Sequence, residues 1–417
     1  RSQYVRYVLT WLPPAIGFTR MPRYVAEADY VVLALPPAGG LQAGQLRRVW
    51  QQVHLAAALG CAGVLVVPVT PLDSALRAQV NSILQDAGFG QEQVWWSDLV
   101  QWKQLSTLQQ LQVIPVDARP PARVAITRLY QASSVAITVH GRLWGGSVRM
   151  GDLLMAAPSP NGTTITGKVV YTEGCQARTG DLAAIEVGCS GTAQLLRKGM
   201  VLGLLKDAPP IAARCIIAHI RVPPMPPEGS VAPTPSALWV GQCLLLCAHA
   251  SRVSTRVAAI TRTDADASVR YPDRLEPGES ATVILIFARK TPMEVATEYP
   301  RLGRFVLMEG ARGGTGPRTA AVGLVRTVYY VFPHWRPQLM PMYPPRYQQL
   351  AMAVQLCLHH ALPSDAICNI LRYTCAYEFE GLPPWEWGWH PCLGYTAWAR
   401  RRQLHGPRAP HAAEAAA

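Results

Sequence analysis

Lysine is scarce in this chain. Only Lys103, Lys168, Lys198, Lys206 and Lys290 occur in 417 residues, so nearly all of the 39 basic residues are arginine. Charge of either sign is sparse at 16%, against 49% hydrophobic residues, which excludes a disordered chain and leaves material for several packed cores. No run of 18 apolar residues occurs, so no segment reads as a transmembrane helix. The ten cysteines form no C-x-x-C pair: Cys243 and Cys247 stand four apart, Cys368 and Cys375 seven apart. Zinc ribbons need closer pairs, so buried free thiols are expected and no metal site. G-x-S-x-G and H-E-x-x-H are also missing, which removes two well-defined hydrolase signatures. What remains in surplus is positive charge, +13 with a pI of about 9.5. An excess of that size fits an anionic partner; between nucleic acid and an acidic membrane surface, nucleic acid is the expectation.

The chain changes character along its length. In residues 1–118 apolar runs alternate with helical periodicity. Tyr30–Leu35 is a continuous apolar run, as in a strand covered on both faces. Gln42–Leu59 reads as a helix closed by Gly60, Val64–Val67 as a second strand, and Asp73–Ala87 as a second helix closed by Gly88. The order implies a parallel, three-layer α/β unit. After a Pro-containing hinge at 115–121, short alternating strands are broken by Gly, Asn and Asp about every ten residues, the spacing of a β-barrel or sandwich. One such stretch fills 119–209 and another 210–328, the latter with a Pro-dense excursion at Pro223–Pro235. Residues 329–417 differ again. Helical segments are expected at Arg346–His360 and Pro363–Tyr377, with Ser364 and Asp365 as N-caps. Trp385, Trp387 and Trp389 alternate beyond them, and Arg400, Arg401 and Arg402 stand close to the end.

Two β segments carry a family signal. His140–Pro158 places Gly141, Gly146, Gly151, Asp152, Leu154 and Pro158 in the order of G-x-[VL]-x-x-G-x-[VL]-x-x-G-D-x-L-x-x-x-P. Ala177–Ala183 and Arg197–Leu202 follow at matching distances. In the second stretch Gly278–Ala281, Leu302–Gly310 and Ala321–Val325 form a further ordered set, with Met308 where an arginine is usual. These motifs resemble the second and third domains of the translational GTPases, the family of elongation factor Tu, elongation factor 1-alpha and the ribosome-rescue and release-factor GTPases. Ala28–Leu33, Gly44-Gln45 and Leu59-Gly60 are similar to anchors of that family's GTPase domain. The resemblance implies a degenerate α/β GTPase remnant, two all-β barrels and an added, partly helical, Pro- and Trp-rich extension.

The family's working motifs do not fall where those anchors put them. D-x-P-G-H, whose acid and histidine serve magnesium and the attacking water, reads Thr10-Trp11-Leu12-Pro13-Pro14. N-K-x-D, the guanine reader, reads Val69-Thr70-Pro71-Leu72, with Asp73 one place late. G-x-x-x-x-G-K-[ST] does not occur. The expectation is therefore a protein without catalytic, cofactor or metal residues. Its resemblance implies a ribosomal component, in mitochondria or alternatively the cytoplasm, contacting ribosomal RNA and neighbouring ribosomal proteins and no membrane or small-molecule substrate. Arg304, Arg400, Arg401 and Arg402 are the candidate RNA contacts. The other reading is an active rescue or elongation-type GTPase whose upstream sequence is missing.

Overall fold

The computed structural model describes residues 21–37, 43–97, 116–132, 136–158, 165–172, 176–188, 195–224, 235–263, 269–310, 318–330, 340, 343 and 345–373. Thr10–Pro14, most of the Pro223–Pro235 excursion, Trp385, Trp387, Trp389 and Arg400–Arg402 lie outside them. The chain divides into two units, at 1–331 and 332–417.

The first unit starts with a short helix α1 (Met21–Val25), then β1 (Tyr30–Leu35), α2 (Ala43–Ala58), β2 (Gly63–Pro68), α3 (Ser74–Asp86) and β3 (Val94–Trp96). The strands are parallel in the order β1-β2-β3. One expectation needs correction here. Among the described residues β1 has a neighbour on one side only, and it is not covered on both faces: Leu33 and Leu35 are buried, while Val32 is 38% exposed and Ala34 is exposed. An apolar run reports the residues' preference for burial, not their place in the sheet. Among the described residues both helices lie on one face of the sheet, while Leu65 and Val67 on the opposite face of β2 are buried as well. Val49 and Val53 of α2 and Val80 and Leu84 of α3 share one core with Val64 and Val66 of β2. Sequential strand order with right-handed crossovers puts both helices on the same face. Gly60 closes α2 at φ +81°; its N–H donates to Ala57 O at 3.0 Å and that of Cys61 to Ala56 O at 3.0 Å, a left-handed cap that glycine enters without strain.

The first barrel is built from β4 (Arg123–Ala125), β5 (Arg128–Gln131), β6 (Ala136–Trp144), β7 (Ser147–Arg149), β8 (Leu153–Ala157), β9 (Ile165–Thr172), β10 (Gln176–Arg178), β11 (Leu182–Gly188) and β12 (Val201–Leu204). The order β11-β9-β8-β12-β4-β6, closed by β11–β6 pairing, makes a six-stranded ring; β5 adds to β6, and β7 and β10 form a separate ribbon. The second barrel uses β13 (Ala212–Arg221), β14 (Leu238–Trp239), β15 (Cys243–Ala248), β16 (Ser251–Thr263), β17 (Val269–Arg270), β18 (Arg274–Leu275), β19 (Ser280–Pro292), β20 (Arg304–Glu309) and β21 (Arg318–Tyr330). The ring β15-β20-β21-β13-β19-β16 again closes on itself, through β15–β16. Closure leaves no open edge in either ring. Each barrel has its own apolar core, around Val139, Leu143 and Ile185 in the first and Ile216, Leu285 and Phe305 in the second.

The outer face of the second barrel also serves the α/β unit: Cys247, Val306 and Met308 join the core of α2, α3 and β2. The barrels are tied together by Arg123 of β4, whose Nε donates to Glu294 Oε1 at 2.5 Å, with both side chains under a tenth exposed. Burial pushes the Glu294 carboxyl up, against the pull of the Arg123 guanidinium. Tyr299 Oη donates to Pro121 O at 2.8 Å beside that pair. Of the free cysteines described, Cys61, Cys215 and Cys247 are buried, but Cys243 and Cys357 are exposed, against the expectation of buried thiols throughout.

The second unit contributes α4 (Pro345–Leu358) and α5 (Ser364–Tyr373). Tyr347 is buried between them and donates from Oη to Leu371 O at 2.7 Å. The amides of Ala366 and Ile367 donate to Pro363 O, so Pro363, not Ser364 or Asp365, takes the N-cap position. Proline suits this place because its backbone offers an acceptor and no unmet donor is added.

Candidate functional site

Open parallel sheets bind ligands outside the carboxyl ends of their strands. Beyond β2 that edge carries Asp73. Its Oδ1 accepts from the Leu76 N–H at 2.7 Å and caps α3. Its place one residue late for guanine recognition is thus the place that starts the helix. At the end of β3, Trp96 Nε1 donates to Asn81 Oδ1 at 3.2 Å, and the Arg77 guanidinium lies 4.7 Å from the Trp96 ring centre. The polar groups of Asp73, Asn81 and Trp96 at this edge thus bond to α3 or to one another.

A second cluster joins the α/β unit to both barrels. From β6, Arg142 donates from Nη1 to Glu27 O at 2.7 Å and pairs through Nη2 with Asp29 Oδ2 at 2.8 Å, while its guanidinium lies 4.8 Å over Trp144. From the turn before β20, Arg301 donates to Gly60 O and Ala28 O. Burial holds the Arg301 guanidinium below its usual range. Arg304 is half-buried in the same junction; a Cβ on Gly60 would come within 2.9 Å of its Nε. Arg304 therefore sits against the α/β unit and not on an open basic face. Sequence reasoning missed Arg142 and Arg301 because most of their acceptors are backbone carbonyls far away in the chain, which leave no local pattern.

A third arrangement lies on the second barrel. On β16, Arg252 and exposed Arg256 alternate with buried Val253, Thr255 and Val257. Thr255 pairs with Phe287 of β19, which brings Arg289 and Lys290 to the same end of the barrel. Arg289 Nη2 donates to Arg252 O at 2.7 Å. Arg214 is exposed at an irregularity of β13 between Ala213 and Cys215. Burial, then the nearby Arg214, hold the Lys290 ammonium below its usual range. Among the described residues no carboxylate pairs with Arg214, Arg252, Arg289 or Lys290. The sequence signal was available: arginines four apart in a strand share one face. Arg400, Arg401 and Arg402 lie outside the described residues, so Arg304 is the one expected RNA contact with a described position.

Comparison with known proteins bears on this geometry. A family model described as the GTP-eEF1A C-terminal domain-like family matches residues 231–326, within the second barrel. Elongation factor 1-alpha of Nanoarchaeum equitans is 27% identical over 243 residues, 56% of this chain and 52% of that protein. Elongation factor 1-alpha of Thermococcus gammatolerans is 24% identical over 339 residues, 73% of this chain and 75% of that protein. The chain spans about half the length of the first of these relatives. The apo structure of translation elongation factor SelB from Methanococcus maripaludis superposes with a TM-score of 0.57 at 14% identity, over 76% of this chain and 71% of that one, a likeness of fold.

Proposed function

Because this chain belongs to the translational GTPase family, we propose that it is a derived member: a non-catalytic, RNA-binding structural component of a ribosome, in mitochondria, whose α/β unit no longer takes GTP. The observation that carries the RNA-binding part is the uncompensated basic end of the second barrel, Arg214, Arg252, Arg289 and Lys290. Cationic side chains held close together without carboxylates repel one another, and a phosphate backbone relieves that repulsion while accepting the forked donors of arginine. The loss of GTP binding is supported by the engagement of Asp73 in capping α3 and by the absence of N-K-x-D around it. The Arg142 and Arg301 contacts fasten the α/β unit to both barrels, as suits a part that fills a fixed place in an assembly. The organellar setting rests on analogy with ribosomes that carry added proteins. The names of the relatives favour a second reading, an elongation-type GTPase. Calorimetric titration with GTP and GDP in the presence of magnesium separates the two. The proposal expects no saturable binding; tight magnesium-dependent binding would overturn it and establish the second reading.

A further inference from the structure

We propose that the seam between the α/β unit and the first barrel is a proton-dependent latch, closed when the Glu27 carboxyl is neutral and loosened when it ionises. Glu27 lies between α1 and β1, where the α/β unit meets the first barrel. Facing it from the barrel are Thr127, just before β5, Arg128 at the start of β5, and Arg142 on β6. On its own side Asp29, two residues along, is already paired with Arg142. Beyond it Arg301 reaches in from the second barrel to Ala28 O. Glu27 Oε1 is buried with no hydrogen-bond partner, and so is Arg142 Nε. The two unmet groups belong to the same seam, yet the Arg142 guanidinium is directed to Glu27 O and Asp29 rather than to the Glu27 side chain.

A buried carboxylate with an unmet oxygen is costly, whereas the neutral acid is tolerated. Burial accordingly pushes the Glu27 carboxyl up to about 7, outweighing Thr127, Arg142 and Arg128, which pull the other way. The closed seam therefore holds a proton that the open seam releases. Its contribution is fully present below the ordinary carboxylate range and is lost as pH rises through about 7. The seam to the second barrel does not share this response, because Arg301 donates to the backbone carbonyls of Gly60 and Ala28, which do not titrate. Rising pH should then free the α/β unit from the first barrel while it stays fastened to the second. The latch is independent of whether the protein binds RNA or GTP.

Hydrogen exchange of the full chain at about pH 6 and about pH 8, corrected for intrinsic rates, tests this. Exchange in peptides spanning Glu27–Tyr30 and Val139–Trp144 is expected to rise by up to about tenfold in all between the two pH values and to level off above about 7, where the carboxyl is ionised in both the closed and the open seam, with peptides around Arg301 unchanged. Glu27→Gln, nearly isosteric and unable to ionise, should stay protected at both pH values. Arg142→Ala should exchange fast at both. Equal protection of the wild-type seam at the two pH values, or a Glu27→Gln protein that keeps the wild-type pH response, would overturn the latch.

Discussion

The two ends of the second barrel carry their charge in opposite ways. At one end basic residues close on carboxylates: Arg262 with Glu279, Arg274 with Glu276 at 2.7 Å, and Arg318 with Glu309 at 2.7 Å. At the other, Arg214, Arg252, Arg289 and Lys290 share a surface with no paired acid among the described residues. Both ends belong to one six-stranded ring with one core, so stability of the fold does not require the asymmetry. A net charge of +13 would say only that some polyanion is attractive; its uneven distribution says where. Exposed large apolar side chains are also missing from β13, β16, β19 and β21, which favours phosphate contact over an apolar protein interface or membrane insertion.

The contrast can be broken in graded steps. The largest effect is expected at the pair between the barrels, the one among the described residues with both side chains under a tenth exposed. Arg123→Ala should leave Glu294 without its partner and lower unfolding stability by about 3–5 kcal/mol in denaturant titrations. Next comes His249, in the turn beside the basic end. Its Nε2 lies 3.1 Å from Pro292 O, its Nδ1 is buried without a partner, and burial pushes the ring down to about 4. The unfolded chain binds the proton more readily, so stability should fall as pH drops from about 6.5 to about 4, by about 3 kcal/mol. His249→Asn, which tolerates the positive φ of 38°, should flatten that limb. At the basic end itself, replacing Arg252, Arg289 and Lys290 together by Gln should weaken RNA binding about tenfold or more. The salt slope should become shallower by about 2–3, with thermal stability unchanged or raised. At the paired end Arg262→Gln should cost about 0.2–1 kcal/mol and leave the salt slope where it was. A slope that falls equally with Arg262→Gln would erase the difference between the ends.

Much of the fold was legible because it is written in local pattern. Residues 30–35 form a strand as read, and α2 and α3 begin and end within a residue or two of their glycine and Asp73 signals. The turns Gly151-Asp152 and Gly180-Asp181 link β7 to β8 and β10 to β11, and their aspartates accept from the Arg149 and Arg178 amides at 2.8 Å. What local pattern does not contain is the partner of a side chain. The sheet-edge position of β1, the placing of both helices on one face, and the fastening by Arg142 and Arg301 all depend on elements that meet only after folding. Arg304 shows the same limit from the other direction: an arginine in a family-like run carries no local sign that the fold half-buries it beside Gly60.

The central claim is that this is a fixed ribosomal part and not a cycling factor. Sucrose-gradient sedimentation of native lysate at low and high salt tests it most directly. The account predicts stable co-migration with one ribosomal subunit through high salt, lost or diminished when Arg252, Arg289 and Lys290 are replaced together. Migration as a free protein, or association that disappears with modest salt, would contradict it.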